Sequence, residues 1–239
     1  MKGKKLLLVS ILILVAILIS ATVIDFNQLF NTNKSTANSV GVIANKEDNN
    51  ESVDINTLKT TYNNDEIVGV LKLLDDQIIV TQSDDNEKYL TKDIYGKKDK
   101  IGNPFLDYRV DINNSKKLLI YGHNGKGIDT PFKKLEKYYD KDFYLNHPFI
   151  ELVTDKNKWK YEIFSVYVET RDWSYMKVDF KDQDLWLKHL ENIKSKSLYE
   201  TDIGLTKDDN VLVLQTCSFK KEYQNFNKKY LLVFARRVN

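Results

Sequence analysis

The order of hydrophobic and polar positions divides the chain into a long apolar run, a polar stretch and a region of short apolar segments. Residues 6–24 are uncharged, and as a helix they would span roughly 28 Å at about 1.5 Å per residue, enough to cross a bilayer. Lysines precede the run and an aspartate follows it, so the positive-inside rule predicts a membrane anchor with a cytoplasmic basic tail, residues 1–5, and an extracellular remainder. A cleaved signal peptide is the alternative, although its apolar run is usually about 7 to 15 residues long.

The polar stretch, residues 25–64, is rich in Asn, Ser, Thr and Lys. This composition predicts an extracellular tether, with a short helix near residues 54–62. Compact structure is expected over residues 65–239, which is a suitable length for one domain.

Short apolar segments rich in β-branched and aromatic residues predict strands after residue 65. The predicted strands are residues 67–74, 77–81, 117–121, 149–154, 158–169, 210–217 and 230–238. Two helices are predicted: residues 130–139, begun by Thr130 with Pro131 in the first turn, and residues 182–194, whose apolar residues share one face. Because strands follow strands more often than they alternate with helices, the pattern favours a mainly β fold, a closed or partly closed barrel decorated by helices.

Composition excludes several kinds of function. The 36 Lys and Arg residues against 34 Asp and Glu residues give a net charge of +2, too balanced for a nucleic-acid-binding surface. The single cysteine, Cys217, cannot form an intrachain disulfide, and with three scattered histidines it matches no zinc-ligand spacing. No glycine-rich nucleotide-binding motif is present. The sequence therefore predicts neither a metal nor an organic cofactor.

Two side chains could carry out chemistry together. Cys217 ends an apolar segment on which Val211, Val213 and Gln215 share its face. His123 follows another apolar segment, and the glycines on either side of it predict that the chain leaves the strand and enters a loop here. Taken singly, a buried structural cysteine and a hydrogen-bonding histidine are the plainer interpretations. Together they predict a thiol nucleophile with its base, provided that the two strand ends meet.

Four sequence blocks, in this order along the chain, resemble the class B sortases, membrane-anchored cysteine transpeptidases of Gram-positive bacteria. The blocks are DNEKYL at residues 85–90, NPFLDYR at 103–109, IYGHN at 120–124 and LQTC at 214–217. The resemblance covers residues 65–238 and implies the sortase fold, a closed β-barrel with an N-terminal helix. It also implies a further helix in the segment before the cysteine strand, residues 170–209, which walls the substrate groove.

By position, the resemblance assigns Cys217 as the acyl-forming nucleophile and His123 as the general acid and base. The backbone N–H of Ser218 is expected to form part of an oxyanion hole. The expected substrate-binding residues are Tyr121, Gln215, Thr216 and Ser218. Arg109, in the NPFLDYR block, is interpreted as the partner of Asp107 in a buried structural pair.

The chain departs from the family at its arginine, which lies five residues before a small residue in the last strand. Counting back from Ala235 gives Tyr230, which is assigned as the third catalytic residue and would donate a hydrogen bond through its hydroxyl. The alternatives are that a bulge brings Lys229 into place, or that activity is weakened. Arg236 lies roughly 20 Å further along an extended strand.

The resemblance implies a cysteine transpeptidase. Cys217 would attack the carbonyl of a threonine in the C-terminal sorting signal of a secreted protein, and the thioester would pass to an amine of a lipid-linked peptidoglycan precursor. Two alternatives stay open: an anchored cysteine peptidase with water as acceptor, and a catalytically inactive sortase-like binding module. The implied location is the cell membrane with the catalytic domain outside, and the implied partners are sorting-signal proteins, the precursor amine and the membrane, without nucleic acid.

Overall fold

The computed structural model describes residues 41–43 and 53–239. The predicted basic tail, the predicted anchor at residues 6–24 and most of the predicted tether lie outside these residues. In the part of the chain that is described, no helix combines the length and the hydrophobicity needed to cross a membrane. The predicted location as a single-pass membrane protein is therefore corrected, because the structure gives it no support.

Nine strands and three α-helices are found in the described residues. The strands are β1 (Val42–Ile43), β2 (Ile67–Leu73), β3 (Asp76–Thr81), β4 (Phe105–Leu106), β5 (Lys117–Tyr121), β6 (Phe149–Thr154), β7 (Lys158–Glu169), β8 (Val211–Cys217) and β9 (Tyr230–Arg237). The α-helices are α1 (Ile55–Tyr62), α2 (Lys141–Asn146) and α3 (Gln183–Ser195). Short 3-10 helices cover Lys88–Leu90, Pro131–Tyr139, Trp173–Met176 and Lys221–Tyr223.

Eight of the strands form a closed barrel in the order β3-β2-β6-β7-β9-β8-β5-β4. The barrel closes where Thr81 of β3 pairs in parallel with Phe105 of β4, while β1 is an additional strand beside β3. Closure leaves these eight strands without a free edge. The predicted mainly β barrel with an N-terminal helix and a helix before the cysteine strand is confirmed.

Buried side chains lie on both faces of the sheet. Along β5, Leu118 and Ile120 belong to one hydrophobic cluster, whereas Leu119 and Tyr121 belong to a second cluster that includes Trp186 of α3. Alternation along the strand separates the two sets, and α3 covers the second face. Because both faces are covered, the strand reads as a continuous apolar run.

The predicted strands are all present, and three of them, β5, β6 and β7, have the predicted bounds. The segment Pro131–Tyr139 differs: it is a 3-10 helix, and the side chain of Thr130 makes no capping hydrogen bond. β1 and β4 escape prediction because two residues are too few to form a periodic pattern. The short helix α2 was also not predicted; the side chain of Asp140 caps it by accepting from the N–H of Phe143.

Candidate active site

A cleft of about 300 Å³ opens where β5 and β8 end and β9 begins. It is lined by Asn86, Leu90, Phe105, Tyr121, Gly122, His123, Met176, Gln215, Thr216, Cys217 and Tyr230. Six of the seven predicted site residues therefore lie around one space, and Ser218 is the exception.

The parallel pairing of β5 and β8 brings Cys217 and His123 to one edge of the sheet. Tyr121 lies directly opposite Gln215. His123 follows Tyr121 by two positions, and Cys217 follows Gln215 by two positions. Because parallel strands leave the sheet at the same edge, both side chains reach the same cleft. The two strand ends therefore meet, as a thiol–imidazole site requires.

Three hydrogen bonds outside the regular ladder join these strand ends. The N–H of Gly122 donates to the carbonyl oxygen of Gln215 at 3.0 Å, and the hydroxyl of Thr216 donates to the carbonyl oxygen of Gly122 at 2.7 Å. The side-chain amide of buried Asn124 donates to the carbonyl oxygen of Cys217 at 3.0 Å. Thr216 thus uses its hydroxyl to hold the loop after β5. Asn124, in the IYGHN block but without a predicted role, fixes the backbone of the thiol residue.

His123 is held by the backbone of a neighbouring turn. Its Nε2 lies 2.9 Å from the carbonyl oxygen of Leu90. Since a carbonyl only accepts, Nε2 is the ring nitrogen that donates in this contact, and Nδ1 is the nitrogen that this contact leaves unused. The preceding residue must be glycine, because a Cβ on Gly122 would lie 2.5 Å from the ring of Phe132. In the described residues His123 forms no hydrogen bond with the thiol of Cys217, and catalytic hydrogen bonds often tighten only in the substrate complex.

Cys217 is a free and partly buried thiol. Burial raises the pKa of this thiol above its ordinary value, and the positive charge of Lys229 opposes the rise. The thiol is therefore protonated near neutral pH, and a base must take its proton before the sulfur can act as a nucleophile. No cluster of His, Cys, Asp or Glu suited to a metal ion exists in residues 41–43 and 53–239.

Tyr230, the first residue of β9, is the direct ladder partner of Cys217. The ladder between β8 and β9 is regular from Arg236 to Tyr230, so it contains no bulge that would bring Lys229 into the position of Tyr230. Arg236 lies at the far end of the strand, where it forms an ion pair with Glu162 at 3.0 Å. Among the described residues, Tyr230 is the one β9 side chain that lines the cleft.

Ser218, the predicted oxyanion donor, does not line the cleft. Its N–H donates to the carbonyl oxygen of Lys229 at 3.0 Å, because strand pairing continues one residue beyond Cys217. Its hydroxyl pairs with the hydroxyl of Tyr139 at 2.6 Å, and the residue is fully buried. The substrate-binding role of Ser218 stays a prediction, and in this structure its N–H and its hydroxyl are both hydrogen-bonded inside the protein.

Tyr121 and Gln215 line the cleft, and each has a polar side-chain atom that is already hydrogen-bonded to another residue of the protein. The hydroxyl of Tyr121 donates to the buried carboxylate of Asp107 at 2.7 Å, so its contribution to the cleft is the ring. The side-chain oxygen of Gln215 accepts from the hydroxyl of Tyr175 at 2.8 Å. This leaves Nε2 of Gln215 as a donor without a partner in the described residues.

Asp107 and Arg109 form the predicted pair, but only Asp107 is buried, whereas Arg109 is exposed. Nε and Nη2 of Arg109 donate to the two carboxylate oxygens at 2.8 and 2.7 Å. Burial alone would raise the pKa of Asp107, but hydrogen bonds from Arg109 and Tyr121 keep it below its ordinary value. Nη2 of Arg109 also donates at 2.9 Å to the carbonyl oxygen of Met176, which lines the cleft. The pair therefore links the barrel to one wall of the site.

A closed barrel in which two parallel strands bring a cysteine and a histidine into one cleft defines a thiol-dependent acyl-transfer site. The sequence matches the Sortase domain family over residues 74–238, more than half of the chain. The chain therefore belongs to the sortase family, whose members are cysteine transpeptidases.

Relatives with known names place the chain in class B of that family. It is 33% identical to sortase B of Listeria monocytogenes over 67% of the chain, and 30% identical to sortase B of Staphylococcus aureus over 71% of the chain. The matched regions span 66% and 70% of those two proteins. Among solved structures, a Clostridium perfringens sortase B superimposes with a TM-score of 0.70 at 27% identity, covering 77% of this chain and 86% of its own. A Staphylococcus aureus sortase B–substrate complex has a TM-score of 0.70 at 25% identity, covering 89% and 94%.

Proposed function

We propose that this protein cleaves the C-terminal sorting signal of secreted proteins after a threonine and joins the new carboxyl end to an amine of a cell-wall precursor. The observation that carries the proposal is the meeting of Cys217 and His123 in one cleft at the ends of parallel strands. Neither residue would suffice alone, because the thiol is protonated and needs a base.

The reaction proceeds in two acyl transfers. His123 takes the proton of Cys217, and the sulfur attacks the threonine carbonyl carbon to form a C–S bond. The C–N bond then breaks, and the imidazolium of His123 returns its proton to the departing amine. In the second transfer, His123 deprotonates the acceptor amine, which attacks the thioester and releases the thiolate of Cys217 to be protonated again. Atoms and protons balance without any cofactor.

The oxyanion that forms in each transfer needs donors aimed into the cleft. Two donors line it without a partner in the described residues: the hydroxyl of Tyr230 and Nε2 of Gln215. We assign them to this task in place of Ser218, whose N–H is bound to a backbone carbonyl. Burial raises the pKa of Tyr230, so its hydroxyl keeps its proton near neutral pH and can donate.

The nature of the substrates is supported by the cleft and by solved relatives. Leu90, Phe105 and Met176 give the cleft apolar walls, which suit an extended peptide of low charge. One solved sortase B is complexed with Gly3 and another is a substrate complex. By this likeness we assign a peptide sorting signal as acyl donor and an amine of a lipid-linked peptidoglycan precursor as acceptor.

The test incubates the full chain with a library of sorting-motif peptides and triglycine, with mass spectrometry of the products. The expected product is the N-terminal half of a peptide joined through threonine to triglycine, and Cys217→Ala should yield none. Hydrolysed peptide alone at saturating triglycine would favour a peptidase. Absence of both product and thioester would leave an inactive binding module.

A further inference from the structure

Lys117, the first residue of β5, is fully buried, and its ammonium group is bound by three acceptors. Nζ donates to the carbonyl oxygens of Tyr175 at 2.5 Å and Lys177 at 2.9 Å, and it lies 3.0 Å from Nε2 of His189 in α3. No carboxylate of the described residues forms an ion pair with it. The three hydrogens of the ammonium group therefore bind two backbone carbonyls near residue 176 and one ring nitrogen of α3.

His189 fits the role of acceptor in this cluster. Burial, followed by the positive charges of Lys117 and Lys177, lowers the pKa of its ring to about 3. The ring is therefore neutral, and its Nε2 is free to accept from the ammonium group. It packs against Phe180 and Trp186, with ring centroids 4.7 and 6.0 Å away.

A buried cation at this place is costly. Burial lowers the pKa of Lys117 to about 7, which measures how poorly the site tolerates the charge. Apolar replacements of buried charges are often neutral or stabilising, so an apolar residue would serve the core at least as well. Stability alone therefore does not explain a lysine at this position. The groups that its ammonium binds suggest a different reason.

Those groups belong to residues 173–180, here called the cleft wall. Three consecutive carbonyls of the wall are held by cations: those of Tyr175 and Lys177 by Lys117, and that of Met176 by Arg109. The wall in turn touches the site at three points. Met176 lines the cleft, Tyr175 binds the side-chain oxygen of Gln215, and Trp173 packs edge-on against Tyr230 at a centroid distance of 5.8 Å.

We propose that Lys117 is a positioning residue for oxyanion stabilisation: its ammonium group, together with Arg109, fixes the cleft wall so that Gln215 and Tyr230 aim their donors at the oxyanion that the sorting peptide forms. This inference rests on the proposed function. Lys117 takes no part in the bond changes, and Cys217 is held separately by its own strand and by Asn124. Loss of the ammonium group should therefore lower kcat for the sorting peptide and leave the reactivity of the thiol as it is.

The test compares Lys117→Met with Lys116→Met in the full chain. Methionine keeps the apolar stem without charge or donors, and Lys116 is a matched control because its Nζ binds the carbonyl of Lys207, outside the wall. Amide hydrogen exchange in residues 173–180 should become at least about tenfold faster in Lys117→Met, with β8 and β9 unchanged. The kcat for the sorting peptide should fall about tenfold, while KM and the rate of Cys217 alkylation stay within about twofold. Lys116→Met should behave as the wild type.

Further variants keep the proposal open to refutation. If Lys117→Met does not fold, Lys117→Gln replaces it, because glutamine is uncharged and too short to reach all three acceptors, and the same changes are expected. Tyr175→Phe removes the hydroxyl that binds Gln215 and should lower kcat about two- to tenfold. The proposal is overturned by wild-type exchange in the wall of a folded Lys117 variant, by exchange that rises equally throughout the barrel, or by an unchanged kcat. A wild type that turns over no peptide would refute the proposed function, while exchange would still decide the role of Lys117.

Discussion

Cys217 and Tyr230 are direct partners in the antiparallel ladder between β8 and β9, and both line the cleft. Where the resemblance to class B sortases leads one to expect an arginine, a phenol therefore lies beside the thiol. The ring of Trp173 packs edge-on against the ring of Tyr230. In the proposed mechanism, the one neutral donor of Tyr230 therefore acts where a guanidinium would offer several charged donors.

Replacing either residue of the thiol–imidazole pair should abolish turnover. We expect Cys217→Ala to form no thioester and no product, and His123→Ala to lose at least about 10²-fold in kcat, because proton transfer typically contributes about 10² to 10⁴. Both variants should keep the wild-type far-ultraviolet circular dichroism spectrum, since neither residue lies in a hydrophobic cluster. Turnover that survives Cys217→Ala would refute the mechanism.

Tyr230 offers the sharpest test of the oxyanion assignment. Tyr230→Phe should lower kcat about ten- to hundredfold, since an oxyanion donor is worth about 10² to 10³ in rate at most. Tyr230→Arg should raise kcat above the wild type, because a charged donor replaces a neutral one. Tyr95→Phe, at an exposed position outside the cleft, is the control.

The same series distinguishes Tyr230 from the neighbouring lysine. Lys229→Ala should have a smaller effect on kcat than Tyr230→Phe, because the ammonium group of Lys229 is bound to the carbonyl of Phe226. If Tyr230→Phe is silent and Lys229→Ala abolishes turnover, the lysine is the donor and the assignment of Tyr230 is wrong.

The pH dependence of thiol alkylation follows from the environment of Cys217. Burial raises its pKa and the charge of Lys229 opposes this, so the thiolate fraction should still be increasing at pH 9. The rate of reaction with iodoacetamide should rise throughout pH 6 to 9 without a plateau. Lys229→Met should slow alkylation at each pH because it removes the opposing charge. A plateau below pH 7 would mean that another cation stabilises the thiolate.

Asn124 should matter through the backbone that it holds. Asn124→Ala removes the hydrogen bond to the carbonyl of Cys217, which should lower the free energy of unfolding by about 1 to 2 kcal/mol and kcat about tenfold. Urea denaturation and peptide kinetics measure the two effects, with Asn114→Ala on the exposed surface as control. A loss of stability with unchanged kcat would limit Asn124 to a structural role.

Lys117 should give the protein a stability that rises with pH. Its pKa is about 7 in the folded protein, against an ordinary value of 10.5 that the unfolded chain keeps, so between these values the unfolded chain binds more protons. The free energy of unfolding should therefore increase from pH 7 to pH 8.5, with a slope of at most about 1.4 kcal/mol per pH unit from this group. Urea denaturation of Lys117→Met should show a flatter profile, and Lys116→Met the wild-type profile. Equal slopes in all three would show that burial does not lower the pKa of Lys117.

The sequence by itself determined the local elements and the identity of the reactive groups. Strands β5, β6 and β7 have their predicted bounds because runs of β-branched and aromatic residues flanked by polar ones specify strands over a few neighbouring positions. Cys217 and His123 could be singled out because a lone thiol and a histidine each follow such a run. These features depend on residues close together in the chain.

Only the tertiary structure decided which groups face the cleft. The parallel pairing of β5 with β8 is a choice of partner between distant segments, and no periodic pattern within either strand encodes it. Distant segments also decide the surroundings of Ser218, whose N–H is bound by the residue that precedes β9. Lys117 is a charged residue at the start of a strand, and α3 and the cleft wall bury it. Hydrogen bonds and burial at these positions depend on what packs against them, and that is set when the barrel closes.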